Sequence, residues 1–158
     1  MHASGRGVPQ DRNRAAELYK LAADQGNADA QGRLGSMYGH GAGVPQADKR
    51  AAELFKLAAE QGQAEAKFNL GVLYRDGRGV PQDMMRAGEL FKLAADQGNA
   101  HAQYHLGTMY GSGIGVPQDD ERSLELHKLA ADQGHAEALQ MLPLHAEAAA
   151  ENEASTST

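Results

Sequence analysis

The chain has 158 residues, no cysteine, and 15 Lys and Arg against 21 Asp and Glu, a formal net charge of −6. This excludes disulfide staples and thiolate metal sites, and the acidic balance works against sequence-independent binding of phosphate backbones, so no nucleic-acid partner is expected. Hydrophobic residues make up 41 % of the chain but aromatics only 5 %, and much of the apolar content is alanine, which suits helices packed at close range.

The dominant pattern is a repeat. The string Gly-Val-Pro-Gln starts at Gly7, Gly43, Gly79 and Gly115, always 36 residues apart. A fixed period of this length predicts a stack of units, each too small to fold alone. No stretch approaches the roughly eighteen apolar residues of a membrane-spanning helix, and Met1 to Arg6 lacks the apolar core of a signal peptide. With no cysteine either, a reducing, cytoplasmic setting is favoured. Met1 to Val8 aligns with Met109 to Val116, so the chain is expected to begin in mid-repeat.

The first Gly-Val-Pro-Gln is expected to form a turn, with Asp11 capping a lone helix B that closes at Gly26, the half repeat 1–26. Three full units follow, 27–62, 63–98 and 99–134. In the middle one, Ala66, Leu70, Leu73 and Tyr74 fall at i, i+4, i+7 and i+8, one stripe of an amphipathic helix A. Gly71 lies inside this helix, as do Gly35 and Gly107 in theirs. Such a glycine costs about 1 kcal/mol relative to alanine, so a neighbouring backbone is expected to pass close by. Gly77, Gly79 and Pro81 then break the helix, and Asp83 and Asp119 are placed to cap the next one. Asp48 is expected to cap one residue later in its repeat, where Ala47 holds the usual slot.

Helix B places Ala87, Leu90, Phe91 and Ala94 on its inner stripe. Gly62, Gly98 and Gly134 follow as C′ glycines, and Asn27 and Asn99 as N-caps of the next helix A. Glu17/Lys20, Glu53/Lys56, Glu89/Lys92 and Glu125/Lys128 are i, i+3 pairs of a solvated face. His127 takes the slot of Tyr19, Phe55 and Phe91 and reads as the mark of a looser terminal repeat. The partial helix A at 135–142 is expected to stop or kink near Leu142, because Pro143 takes the glycine slot. The tail 143–158 is expected to restart a capping helix over 144–154 and to be disordered over 155–158.

The motifs Ala66…Leu70-Gly71…Tyr74, Gly77-Arg78-Gly79-Val80-Pro81-Gln82-Asp83 and Leu93-Ala94-Ala95-Asp96-Gln97-Gly98 resemble the Sel-one-like repeat family, a branch of the tetratricopeptide-type α-solenoids. The resemblance covers about Gly5 to Leu142. It implies an all-α solenoid of stacked antiparallel helix pairs in a right-handed superhelix. It also implies a non-enzymatic adaptor that binds a partner peptide or protein segment in a concave groove lined by one face of helix A. Some bacterial relatives carry a disulfide in each repeat, which this cysteine-free chain lacks.

On the groove face the resemblance places Asp29, Ser36 and His40 with Gly32 and Gly39; then Glu65, Phe68, Val72, Arg75 and Asp76; then His101, Tyr104 and Thr108 with Gly111 and Ser112. These slots differ between copies while the flanking Leu and Gly do not. Phe68 and Tyr104 are the expected anchors, since aromatic side chains dominate interface energies. The competing reading is that solvent-facing slots drift freely after duplication.

Other chemistry is thinly represented. His101 and His105 share a helix face, with Glu65 and Glu137 in slots equivalent to His101, a set compatible with zinc. Solvated histidines are the simpler reading, and no metal or cofactor is assigned. The Gly-x-Gly loops lack the preceding strand and the Gly-Lys-Ser/Thr of a phosphate-binding loop. No nucleophile, base and orienting acid cluster, which leaves a hydrolase or metal-dependent enzyme as a remote alternative. The other alternative is self-association, in which Leu18 and Tyr19 of the lone helix B expose an apolar end that stacks on another copy as a homo-oligomer.

Overall fold

The computed structural model describes residues 7–156, which form α1 (Gly7–Asp24), α2 (Ala28–His40), α3 (Asp48–Glu60), α4 (Ala64–Asp76), α5 (Met84–Asp96), α6 (Ala100–Ser112), α7 (Asp120–Asp132) and α8 (Ala136–Thr156). Helices α2, α4 and α6 are the three copies of helix A, and α3, α5 and α7 the three copies of helix B. Packing is closest within the pairs α2/α3, α4/α5 and α6/α7, and each pair then lies against the next element in sequence. The result is an all-α solenoid of stacked antiparallel helix pairs with right-handed packing.

The turns follow from local chemistry. After each helix B a glycine adopts positive φ, between 84° and 95° at Gly26, Gly62, Gly98 and Gly134. Two backbone bonds close each turn: Gly62 N–H donates to Ala59 O at 2.9 Å and Gln63 N–H to Ala58 O at 3.3 Å, a Schellman pair repeated in the other copies. The side chains of Asn27 and Asn99 then accept from Ala30 and Ala102 N–H at 2.9 Å. Asp83 and Asp119 cap α5 and α7 in the same way.

In the three loop copies of Gly-Val-Pro-Gln, the glycine, valine and glutamine each have a packing or bonding role. A Cβ on Gly79 would fall on the Asp48 carbonyl at the start of the preceding helix B, and Gly43 and Gly115 meet Arg12 and Met84 likewise. Val44, Val80 and Val116 pack against successive core clusters. The Gln82 amide donates to Arg75 O at 2.8 Å, and Gln46 and Gln118 bond Gly39 O and Gly111 O, so a side chain satisfies a free carbonyl at each helix A C-terminus.

The core is a continuous stripe of Ala, Leu and aromatic side chains, with Ala51, Ala58, Ala87, Phe91, Ala94 and Ala102 fully buried. Its central feature lies at the helix A glycines. A Cβ on Gly71 would stand 2.7 Å from Phe91 Cε1; on Gly35, 2.8 Å from Phe55 Cε1; on Gly107, 2.7 Å from His127 Cδ2. The close neighbour is therefore the ring of the partner helix B, where the sequence pattern led us to expect a backbone.

Several other expectations are corrected. The first Gly-Val-Pro-Gln is helical: α1 begins at Gly7, and Asp11 lies inside it instead of capping it. Proline is tolerated in a first turn, where its missing N–H would have no intrahelical partner. Asp48 is the first residue of α3 behind an Ala47 cap that forms no side-chain bond. Its carboxylate instead accepts two bonds from Arg78, at 2.8 and 3.2 Å, and Arg78 holds its pKa below the usual carboxylate range.

Glu53 and Glu89 pair with Arg50 and Arg86, whose forked guanidinium groups reach across the turn, and not with the lysines. Leu18 is exposed, but Tyr19 is half-buried against the N-terminal core cluster. His127 is fully buried, so the last pair is as closed as the others at this slot. Helix α8 runs through Pro143 without a break and includes Ser155 and Thr156; residues 157 and 158 lie outside the described ones.

The glycine contacts predict opposite outcomes for one substitution. Gly71→Ala gains helix propensity but drives a methyl into Phe91, for a net loss of about 1–3 kcal/mol. At Gly39 the nearest atom to an added Cβ is Ala51 Cβ at 3.9 Å, so Gly39→Ala should stabilise by about 0.5–1 kcal/mol. Chemical denaturation of both variants against the parent checks the pair.

Candidate partner-binding face

The slots singled out on helix A differ in what they are free to do. Asp29, Ser36 and Glu65, with Gly32, line one cavity of about 450 Å³ between α2 and α4, which Tyr19 and Asn69 also border. His40 is exposed at the end of α2, and its Nδ1 lies 2.8 Å from Ser36 O. Arg75 and Asp76 pair with each other at 2.9 Å at the end of α4. Val72 packs against the core, and exposed Thr108 donates to Tyr104 O at 3.1 Å.

Phe68 and Tyr104 are the larger surprise. Phe68 rests on Phe91, His101 and His105, with ring centroids 5.7, 5.5 and 5.5 Å away. Tyr104 stacks on His135 at 4.8 Å and meets His105 and His127 at 5.1 and 5.5 Å. Both are half-buried parts of a connected aromatic layer, so the chain itself already occupies much of the surface a partner would want from an anchor.

That layer carries three nitrogen contacts, each of which needs one imidazole nitrogen to accept. Arg75 Nη1 lies 3.1 Å from His105 Nδ1, which must therefore accept. His101 Nδ1 and His135 Nε2 are 3.1 Å apart, and His127 Nδ1 and His145 Nε2 are 2.8 Å apart. In each histidine pair one ring donates and the other accepts. His105 is pushed down to about 4, first by burial, then by the Arg75 charge and the neighbouring His135 and His101; Asp76 opposes weakly. Burial and His145 lower His127, and burial and His101 lower His135 despite Glu137 at 3.7 Å.

These pairings link residues 30, 34 and 18 positions apart, and only the 36-residue frame hints at the first two. His101 and His105, read as a possible zinc pair, instead share the Phe68 ring and look to different partners. Among the described residues no group of three or more His, Cys, Asp or Glu is placed to hold a metal. No helix among them is long and apolar enough to cross a membrane. A second cavity, of about 480 Å³, lies where α8 passes α6 and α7, with Met141, Leu144 and Ala148 on one side and Thr108 and His127 on the other.

Helical hairpins stacked in register, joined by conserved-length turns and keyed by a glycine against a ring, define a helical-repeat scaffold. The Sel1 repeat model matches residues 1–27, 28–63, 64–99 and 100–135, and the chain belongs to this family. It is similar to the crystal structure of c5321, described as a protective antigen present in uropathogenic Escherichia coli strains and displaying an SLR fold. The identity is 38 % and the TM-score 0.80 over 87 % of this chain, which spans 30 % of the length of that protein. It is also similar to a Sel1 repeat protein from Oxalobacter formigenes, at 37 % identity and TM-score 0.72, over 80 % of this chain and 96 % of the other. Cysteine rich protein B of Helicobacter pylori shares the fold at 20 % identity and TM-score 0.66, over 85 % of this chain and 97 % of that one. Among curated proteins none matches.

The histidine contacts fix a pH dependence. His105 is held near 4 in the folded chain against 6.5 in an unfolded one, so between these values the unfolded state binds more protons. Stability is complete above 6.5 and falls as pH drops through the window towards 4; His105 alone contributes on the order of 2 kcal/mol after solvent screening. Thermal unfolding followed across this range should show the decline, and His105→Gln should reduce it, leaving the part due to His127 and His135.

Proposed function

We propose that the helix A face binds an extended segment of a partner protein, making the chain a non-enzymatic adaptor. The observation that carries this reading is a contrast. Buried slots such as Ala30/Ala66/Ala102, Leu34/Leu70/Leu106 and Ala58/Ala94/Ala130 repeat unchanged, whereas helix A slots on one side present Gly32, Phe68 and Tyr104, or Asp29, Glu65 and His101, on equivalent backbone. The cavity between α2 and α4 opens on this same side and is lined by both helices, which is what a segment lying across the stack requires. Membership of the Sel1 repeat family supports a scaffold role, and no catalytic set competes with it among the described residues.

The packing of Phe68 and Tyr104 decides which substitutions are informative. Truncating either ring would open the aromatic layer and confuse loss of fold with loss of binding. Asp76 and Thr108 are exposed and lie on neighbouring helix A copies, so Asp76→Lys/Thr108→Lys changes the surface while giving up only the Asp76 pair with Arg75 and the Thr108 hydroxyl contacts with Tyr104 O and His127. Affinity capture with mass spectrometry identifies the partner. The double variant should then bind it at least about tenfold more weakly, with an unchanged circular dichroism spectrum. A partner held at parental affinity would sink the groove assignment.

A further inference from the structure

Three equivalent positions on helix A are filled in three ways, by Gly32, Phe68 and Tyr104. Phe68 and Tyr104 each lay a ring on the ring of their own helix B, at 5.7 Å from Phe91 and 5.5 Å from His127. Phe68 also rests on His101 and His105 of the following helix A. One repeat earlier, Glu65 and Asn69 hold the places of His101 and His105, and both line the cavity at Gly32. That cavity has a wall from the following helix A equivalent to that of the Phe68 berth, is bordered by Tyr19 and Met37, and receives no side chain from position 32.

We propose that the Gly32 cavity receives an aromatic side chain carried by the partner segment, with an adjacent Lys or Arg held by Glu65. The proposal rests on the groove reading and specifies the chemistry of its occupant. The shape argument is internal: two neighbouring copies of the same backbone berth already hold Phe and Tyr. The charge argument concerns the two carboxylates at the cavity. Asp29 is paired with Arg33 at 3.1 Å, whereas Glu65 is exposed and forms no ion pair among the described residues. A cation entering beside the ring therefore finds a carboxylate without a competing partner. An exposed pair of this kind is weak, so the ring carries the affinity and the cation the orientation.

Gly32→Phe fills the berth from within. The only atom close to an added Cβ belongs to the Gln63 side-chain amide, at 3.1 Å, which bonds Ala28 O and Asp29 N–H and would have to shift, and Gly32 lies in α2 without positive φ. This variant should keep its helical content, as circular dichroism will show. The probe is a phage-displayed library of random peptides, panned on the unmodified chain and followed by titration of the selected peptides. Enrichment of an aromatic residue beside Lys or Arg is expected. Affinity should fall at least about tenfold in Gly32→Phe and by roughly threefold in Glu65→Gln. Peptides that lack an aromatic, or that ignore Gly32→Phe while losing affinity in Asp76→Lys/Thr108→Lys, would overturn the berth and leave the groove standing. Peptides indifferent to all of these variants, or no selection at all, would overturn both.

Discussion

The structure depends on one contact, a helix A glycine lying against the ring of its paired helix B. Phe55, Phe91 and His127 press on Gly35, Gly71 and Gly107 so closely that the ring takes the space of a Cβ. The ring is then buried completely or nearly so in every pair. This explains why a residue that weakens an isolated helix recurs in the middle of each helix A. It also explains why the period never varies. One inserted residue would turn the glycine about 100° away from the ring and place a side chain there instead. The same ring carries the slot at 68 or 104, so the scaffold and the proposed binding face are not separate layers. Phe91 fixes both how closely α4 approaches α5 and where Phe68 lies.

Between repeats the joints are polar and use one residue of the Leu-Ala-Ala-Asp-Gln-Gly motif. The Gln97 amide donates to Gly62 O at 2.8 Å, and Gln133 to Gly98 O at 2.9 Å, so each turn is tied to the one before it. Gln61 and Gln133 also bond the buried Gln31 and Gln103 at 2.8 and 2.9 Å. In the middle repeat Lys67 stands in that slot, and its ammonium donates to the Gln97 carbonyl oxygen at 2.7 Å. The bond survives the change of residue by reversing: Gln61 and Gln133 donate to Gln31 and Gln103, whereas Gln97 accepts from Lys67 through its side-chain oxygen and keeps its amide nitrogen for Gly62 O. Such joints add little energy each, but they specify the offset between neighbouring units, which apolar contacts alone leave loose.

Most of the scaffold was legible because period, caps and glycines act locally. Asn27, Asn99, Asp83 and Asp119 cap as their spacing suggests, and Gly26, Gly62, Gly98 and Gly134 all take positive φ. What was not legible depends on partners far away in sequence. Asp48 reads as a cap, but Arg78, in a slot occupied by Ala42 and Ile114 in the other units, draws its carboxylate outward. Phe68 and Tyr104 read as free anchors because part of their cover, His101 and His105 for Phe68 and His135 for Tyr104, comes from the next unit. His127 reads as a loosened slot because imidazole is polar. Buried, it is satisfied by His145 from α8, a partner that lies outside the repeating motif altogether.

Pro143 bears on whether copies of this chain would stack end on end. It holds the slot of Gly35, Gly71 and Gly107, and α8 continues through it. A further helix B arriving at α8 would need to lay its ring where Phe55, Phe91 and His127 lie on theirs. At this position the pyrrolidine ring fills the space that those glycines leave empty, and a clash of this size displaces the whole helix. Tyr19 of α1 is the ring a second copy would offer, and it is already half-buried in its own cluster. A helix B packed on α8 would therefore do so without the glycine–ring contact of the other pairs. Helix α8 serves the C-terminal units through His145, which completes the buried His127 pair, and through Met141 and Leu144, which wall the second cavity.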